Sequence, residues 1–125
     1  MILYHATFRK RLKSIKEYGL GAKQLKNWDF SETGVVYFTT DPYTAESFCE
    51  CADNVSESVY ESGIVVLAVD SRVLHNKNIK RDGNIHDELI SFTYKGVVDP
   101  RYLYVVCKGE LVGKLVDLKR VPSHS

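Results

Sequence analysis

An uninterrupted apolar segment at residues 64–69 is the feature that most constrains the fold of this 125-residue chain. Its length is that of a β-strand, far below the roughly 20 residues that a membrane-spanning helix requires. A strand with one solvent-exposed face alternates apolar and polar residues, whereas a strand buried on both faces is apolar throughout. We therefore predict a strand over 64–69 that is buried on both faces.

Five further segments have the composition of strands. Residues 35–39 show the pattern most clearly, since they are mainly β-branched and aromatic. The predicted strands over 102–108 and 111–118 are joined tightly around Lys108-Gly109, which is typical of a hairpin. The complete set of additional predicted strands is 1–5, 35–39, 89–94, 102–108 and 111–118.

Two helices are predicted in the first half of the chain. Over residues 9–18, Leu12 and Ile15 lie three positions apart and share one helical face, and Gly19 is a suitable stop. The second helix starts at Asp41-Pro42, an N-cap residue followed by proline at the first helical position. It is predicted to run to about residue 52, with an apolar stripe made of Ala45, Phe48, Cys49 and Ala52.

Two long stretches lack any helical or strand period and are predicted as loops, residues 23–33 and 74–87. Many strands with two or so early helices indicate an α+β fold whose strands are mostly antiparallel. We expect one domain over residues 1–120, followed by a short C-terminal tail at 121–125. There is no basic leader with a cleavage site and no membrane-length apolar run, so a cytoplasmic location is expected.

The near-neutral net charge of +1 hides strong segregation along the chain. Residues 1–28 hold seven Lys/Arg and one acid, residues 29–62 hold eight acids and no Lys or Arg, and residues 63–125 hold ten Lys/Arg and seven acids. The basic first segment is suited to a phosphorylated ligand or a nucleic acid. The acidic middle segment argues against a protein that wraps nucleic acid all round.

Three sequence motifs lie at the boundaries of predicted strands. The first is Leu3-Tyr4-His5-Ala6-Thr7, followed by the basic helix and Gly19-Leu20. The second is Gly34-Val35-Val36-Tyr37-Phe38-Thr39, with a second aromatic, Phe48, eleven residues after Tyr37. The third is Glu88-Leu89-Ile90-Ser91-Phe92, and Val97-Val98-Asp99-Pro100 leads into the next strand. Together these motifs resemble the His-Tyr-Glu signature of NAD-dependent ADP-ribosyltransferases of the poly(ADP-ribose) polymerase and diphtheria-toxin type.

That resemblance implies a compact ADP-ribosyltransferase-like fold with two small sheets and NAD as co-substrate. By the same resemblance, His5 contacts the adenosine ribose, the Ala6 backbone binds the nicotinamide carboxamide, and Tyr37 and Phe48 clamp the nicotinamide ring. Glu88 is implied to hold the 2′-hydroxyl of the reacting ribose and to stabilise positive charge as the glycosidic bond breaks. The predicted catalytic residues are therefore Glu88, His5 and Tyr37.

The activity implied is mono-ADP-ribosylation of a macromolecular acceptor, either a protein or a nucleic acid. A small free-standing transferase of this kind suits a bacterial or phage effector or toxin. The sequence does not identify the acceptor or the oligomeric state.

This chain departs from the family pattern at three positions. Ala6 stands where glycine often follows the histidine, and Ala45 stands where the polymerase branch has a serine that bonds the carboxamide. A hydroxyl for that bond would have to come from Thr7 or Thr39. His86 stands two residues before Glu88, where arginine-directed members carry Glu or Gln, which disfavours an arginine acceptor.

Two alternatives remain open from the sequence. One is an RNA 2′-phosphotransferase of the same fold, which would need an arginine set such as Arg9, Arg11 and Arg101 around the phosphate. The other is a non-catalytic domain that binds a nucleotide or a protein partner, which Ala6 and Ala45 favour.

Neither a metal site nor a cysteine nucleophile is expected. Cys49 and Cys51 are two residues apart, so on a helix they do not face the same point, and no pairing with His75 or His86 has finger-like spacing. Cys49 has no activating partner that the sequence reveals. With Cys107, these residues are expected to be reduced thiols.

Overall fold

The computed structural model describes residues 1–22, 35–51, 55–81 and 91–124. Within these ranges the chain forms one antiparallel sheet of seven strands in the order β4-β5-β2-β1-β3-β6-β7. The strands are β1 Ile2–Phe8, β2 Val35–Thr39, β3 Ile64–Asp70, β4 Ile79–Arg81, β5 Ser91–Lys95, β6 Tyr104–Cys107 and β7 Glu110–Lys114. The helices are α1 Leu12–Tyr18, α2 Pro42–Glu50 and α3 Glu57–Glu61. The predicted α+β class and the mostly antiparallel pairing are confirmed.

The sheet is narrowly joined at its middle. β1 pairs with β3 along seven residues and β2 pairs with β5 along five, but β1 and β2 share only the pair Tyr4↔Thr39. We call this junction the seam. The prediction of two small sheets was wrong, because this one pair joins the blocks β4-β5-β2 and β1-β3-β6-β7 into a single sheet.

β3 is buried on both faces, as its apolar run predicts. Val65, Leu67 and Val69 pack into the main core together with Leu12 and Ile15 of α1. The alternate residues of β3 belong to smaller clusters on the opposite side, where α2 contacts β1 and β3. We call these two sides the α1 face and the α2 face.

The first predicted helix is shorter as an α-helix than its pattern suggests. Arg9–Arg11 form a turn of 3₁₀-helix, and α1 begins only at Leu12. Gly19 ends α1 with φ of +94°, a backbone conformation that glycine adopts without strain.

The second predicted helix begins where the sequence indicates. Pro42 occupies the first helical position, and the Asp41 side chain accepts a hydrogen bond of 2.8 Å from the Thr44 amide. The helix ends at Glu50, and Ala52 lies outside the described residues.

Several predicted boundaries change because short 3₁₀ turns replace strand ends. The predicted strand 102–108 begins at Tyr104, since Pro100–Tyr102 form a turn that the Asp99 side chain caps. The predicted strand 111–118 stops at Lys114, and Leu115–Asp117 turn so that Leu115 is buried. Of the predicted strand 89–94, residues 91–94 lie in β5 and the first two fall outside the described residues.

The polar segment predicted as a loop over 74–87 contains an edge strand. Ile79–Arg81 pair with β5, so backbone hydrogen bonding gives this short segment its structure despite two charged residues in three. Residues 82–87 and the predicted loop 23–33 lie outside the described residues. The short helix α3, capped by the Ser56 hydroxyl, was not predicted.

The C-terminal segment 121–124 is bound to the domain although it forms neither helix nor strand. The Arg9 guanidinium donates to the Val121 carbonyl and to the Ser123 hydroxyl, the latter at 2.9 Å. The His124 amide donates to the Ile64 carbonyl at 3.1 Å. In the described ranges, no helix is long and apolar enough to cross a membrane.

Candidate functional site

The seam brings the first two sequence motifs together. The Nδ1 of His5 donates to the Tyr37 carbonyl oxygen at 2.8 Å, next to the point where regular pairing between β1 and β2 is confined to one residue pair. The His5 ring also meets the Phe38 ring edge-on, with centroids 6.0 Å apart. A side chain thus takes the place of a backbone ladder bond, and the imidazole orientation is fixed by β2.

Tyr37 lies on the α2 face of the sheet. It alternates with Val36 and Phe38, which are both buried in the main core on the α1 face. Its side chain is 41% exposed, which is unusual for a tyrosine in the interior of a seven-stranded sheet. The tyrosine is therefore open to a ligand on that face.

Phe48 lies on the flank of α2 that is directed toward β2. Glu46 and Phe48 are separated by roughly 200° around the helix, because each residue advances an α-helix by about 100°. Glu46 faces His124, on the side of β3, β6 and β7. Phe48 therefore lies on the opposite flank of α2 from Glu46 and is 43% exposed. Both aromatic residues of the second motif are thus exposed on the α2 side of the sheet.

The residues that follow His5 divide between the two faces. Ala6 alternates with His5 onto the α2 face and packs beside Phe8 and Cys49. Thr7 is buried on the α1 face, so its side chain points away from Tyr37. The structure therefore brings Ala6, Tyr37 and Phe48 to one side.

The Thr39 hydroxyl and the Ala45 methyl group both have structural roles. The Thr39 hydroxyl donates to the Asp41 carbonyl at 2.6 Å and shapes the turn between β2 and α2. Ala45 is buried where α2 rests on the sheet, so its side chain makes a core contact.

Glu88, the predicted catalytic carboxylate, lies outside the described residues. The chain re-enters the described part at Ser91, the first residue of β5. Ser91 pairs with Thr39, and Thr39 pairs with Tyr4 across the seam. The strand that follows Glu88 therefore begins level with the joined end of the seam, with β2 between it and β1.

The three arginines considered for a phosphate site are not brought together. Arg9 follows the end of β1 at the Ile64 end of β3, where it holds the C-terminal segment. Arg101 precedes β6 and lines a depression with Asp70, at the other end of β3. The Arg11 guanidinium lies over the Phe8 ring at 5.3 Å.

The depression beside Asp70 has a volume of about 360 Å³ and contains two tyrosines. Two of its lining residues form ion pairs, Asp70 with Arg72 and Arg101 with Asp99. Hydrogen bonds from the Arg72 side chain lower the pKa of Asp70 to about 2, and those from Arg101 lower the pKa of Asp99. Both carboxylates are therefore ionised at neutral pH. The residues that line it are Asp70, Val73, Arg101, Tyr102, Tyr104 and Lys114.

A buried histidine and a glutamate fix the opposite flank of α2, a contact that the sequence did not reveal. His124 is fully buried, and its Nε2 accepts a hydrogen bond of 3.0 Å from the Gly109 amide. Its Nδ1 lies 3.2 Å from Glu46 Oε2, and the Tyr43 ring meets the imidazole edge-on at 4.9 Å. The only sequence signal was an isolated histidine near the C-terminus, which by itself indicates nothing about α2.

No group of three or more potential metal ligands occurs in the described part of the chain. Cys49 is buried, Cys51 is exposed and Cys107 is partly buried, and none of the three is joined in a disulfide. The Cys107 thiol donates to the Ser123 carbonyl at 3.3 Å.

Comparison with known proteins adds no relative. No protein-family model, curated protein or solved structure matches this chain.

The cap at Asp41 determines where α2 begins, and α2 carries Phe48. Replacing Asp41 by alanine removes the acceptor for the Thr44 amide and is expected to lower the free energy of unfolding by about 1 kcal/mol. Asp41→Asn, which keeps a side-chain oxygen, is the control and should cost much less. Urea denaturation measures both, and equal losses in the two variants would contradict the capping role.

Proposed function

We propose that this protein is a mono-ADP-ribosyltransferase that binds NAD at the seam. The observation that carries the proposal is the His5–Tyr37 hydrogen bond of 2.8 Å, which joins the first two motifs where β1 and β2 separate. Tyr37 and Phe48 stand exposed on the same side of this junction. Two accessible aromatic side chains suit a flat cationic ring attached to a sugar. The His5 imidazole lies on the α1 face, beside Phe38, and acts on this side of the sheet through its bond to the Tyr37 backbone.

The chemistry requires little machinery beyond these groups. The bond between nicotinamide and ribose breaks as the pyridinium nitrogen takes the bonding electron pair, so neutral nicotinamide leaves an oxocarbenium-like ribose. Aromatic rings that sandwich the pyridinium contribute about 0.5–1.5 kcal/mol beyond area burial. The Glu88 carboxylate would stabilise the developing positive charge, and an acceptor nucleophile then attacks the ribose and loses a proton.

The departures from the family pattern are compatible with this role. Ala45 is buried in the contact between α2 and the sheet, so its side chain is not available to the ligand. The carboxamide would rely on backbone groups at Ala6, which lies on the side of Tyr37 and Phe48. We therefore expect NAD to bind with one hydrogen bond fewer than it would make with a serine at position 45, and the reaction itself to be unchanged.

The arginine positions favour this activity over the RNA 2′-phosphotransferase alternative. Arg9 is engaged by the C-terminal segment, and Arg101 is paired with Asp99 at the other end of the sheet. A phosphate site needs several cations close together, and these two arginines lie at opposite ends of β3.

NAD titration of the purified protein tests the proposal directly. Tyr37→Ala and Phe48→Ala should each weaken NAD binding about 2- to 10-fold through loss of ring stacking, and more through lost contact area. Isothermal titration measures binding, and nicotinamide release measures turnover. Tyr60→Ala, which removes a similarly exposed tyrosine on α3, is the control. Absence of NAD binding by the wild-type protein would overturn the proposal in favour of a non-catalytic domain.

A further inference from the structure

A row of side chains crosses the three strands beyond the seam on the α2 face. Tyr37 of β2 pairs with Thr93 of β5, and Thr93 pairs with Lys80 of β4. Directly paired residues point to the same face of a sheet, so all three lie on the side of Tyr37. Lys95 lies two residues after Thr93 in β5 and therefore points to the same face.

The members of this row are accessible. Tyr37, Lys80 and Lys95 are exposed, and Thr93 is partly exposed. The Thr93 hydroxyl donates to the Lys80 carbonyl at 3.5 Å, which leaves the lysine side chain outside this contact. Tyr37 and Lys80 are separated by two strand spacings, or about 10 Å between backbones.

Charge is divided sharply between this surface and the neighbouring helices. The strands β2, β4 and β5 place the cations Lys80 and Lys95 on this face and carry no acidic residue, while Arg81, paired with Phe92, points to the α1 face. The helices α2 and α3 carry Glu46, Glu50, Glu57 and Glu61 and no cation. An anionic ligand is therefore attracted to the strands and repelled from the helices.

We infer that the surface formed by Tyr37, Thr93, Lys80 and Lys95 binds single-stranded nucleic acid. An exposed sheet face that combines an aromatic ring with lysines accepts an unpaired base by stacking and its flanking phosphates by charge. A duplex hides its base faces, so it cannot use the tyrosine. An acidic peptide would use the lysines but would gain nothing from the ring.

This inference rests on the proposed function in one respect: the bound strand is the acceptor class of the transferase. Tyr37 belongs both to this surface and to the proposed NAD site, so a strand bound here would lie beside the ribose that reacts. The reaction would join the ribose carbon released by nicotinamide to a nucleophilic atom of the strand, which loses a proton.

Fluorescence anisotropy with labelled single strands of about 12 nucleotides tests the binding, since single-strand sites span about 4–16 nucleotides. We expect Lys80→Gln/Lys95→Gln to bind at least tenfold more weakly than wild type. The slope of log affinity against log salt should become shallower by about 1.4, which corresponds to two lost phosphate contacts. Tyr37→Ala should weaken binding about 5- to 100-fold.

The matched control is Lys114→Gln/Lys119→Gln, which makes the same charge change at exposed sites in and after β7. Single-strand affinity and salt slope should stay at the wild-type values in this variant. Equal weakening in both double variants, or undiminished binding by Lys80→Gln/Lys95→Gln, would overturn the inference. So would equal affinity for a duplex, or a wild-type protein that binds no single strand.

Calorimetric NAD titration of the same variants separates this inference from the proposed function. If Lys80→Gln/Lys95→Gln loses NAD binding and keeps strand binding, the lysines serve the pyrophosphate of NAD and the inference is overturned. Strand binding without any NAD binding would overturn the proposed function alone. NAD turnover without strand binding would overturn this inference and leave the proposed function standing.

Discussion

Replacing Glu88 by glutamine is expected to lower nicotinamide release by roughly 10²–10³-fold, the typical effect of removing one transition-state electrostatic group. Glutamine has nearly the volume of glutamate and retains its hydrogen-bonding shape, but it carries no charge. It should therefore still hold a ribose hydroxyl and fail to stabilise the oxocarbenium-like ribose. Nicotinamide release by the purified variant, measured at saturating NAD, gives the loss in kcat.

The control for this change is the adjacent carboxylate. Asp87→Asn removes the same charge one residue earlier and should retain most of the activity, because the proposed catalytic role belongs to Glu88 alone. Circular dichroism and thermal melting establish that both variants are folded. Full activity of Glu88→Gln would show that the catalytic assignment is wrong. If that activity is on a 2′-phosphorylated RNA, the phosphotransferase alternative is favoured.

Truncation of Phe38 is expected to cause the largest loss of stability. Its side chain is 1% exposed, belongs to the main core and supports the His5 ring at the seam. Phe38→Ala should lower the free energy of unfolding by about 3–5 kcal/mol through lost burial and the cavity that remains. Urea unfolding followed by circular dichroism measures the change.

Phe92→Ala provides a matched comparison. Phe92 pairs directly with Phe38 and shares its face, but it is only partly buried at the margin of the core. Its loss should cost clearly less, because part of the ring is already exposed to water. Similar costs at the two positions would contradict the description of Phe38 as the support of the seam.

The strands with strong local signals were the most predictable part of the fold. The apolar run in β3 and the β-branched and aromatic residues of β2 carry their own evidence, as does the Asp41-Pro42 helix start. β4 has no such signal: Ile79, Lys80 and Arg81 become a strand only because β5 offers an edge. Its formation depends on a distant pairing, which a local pattern cannot report.

The candidate residues could be named from the sequence, but their arrangement could not be derived from it. Spacing alone connected Tyr37 to Phe48, and alternation along β2 and α2 then places both on one side of the sheet. The bond from His5 to the Tyr37 carbonyl depends on which strands are neighbours and on where their pairing stops. The lysine row depends on the register of three strands, so sequence order gave no sign of it.

The anchoring of the C-terminal segment bears on how long the folded state persists. Arg9 bonds to residues 112 and 114 positions further along the chain, so these contacts close very long loops. Such contacts carry a large loop-closure entropy and are expected to form after the main folding barrier has been crossed. We therefore expect these bonds between Arg9 and residues 121 and 123 to lengthen the lifetime of the native protein more than they speed its folding.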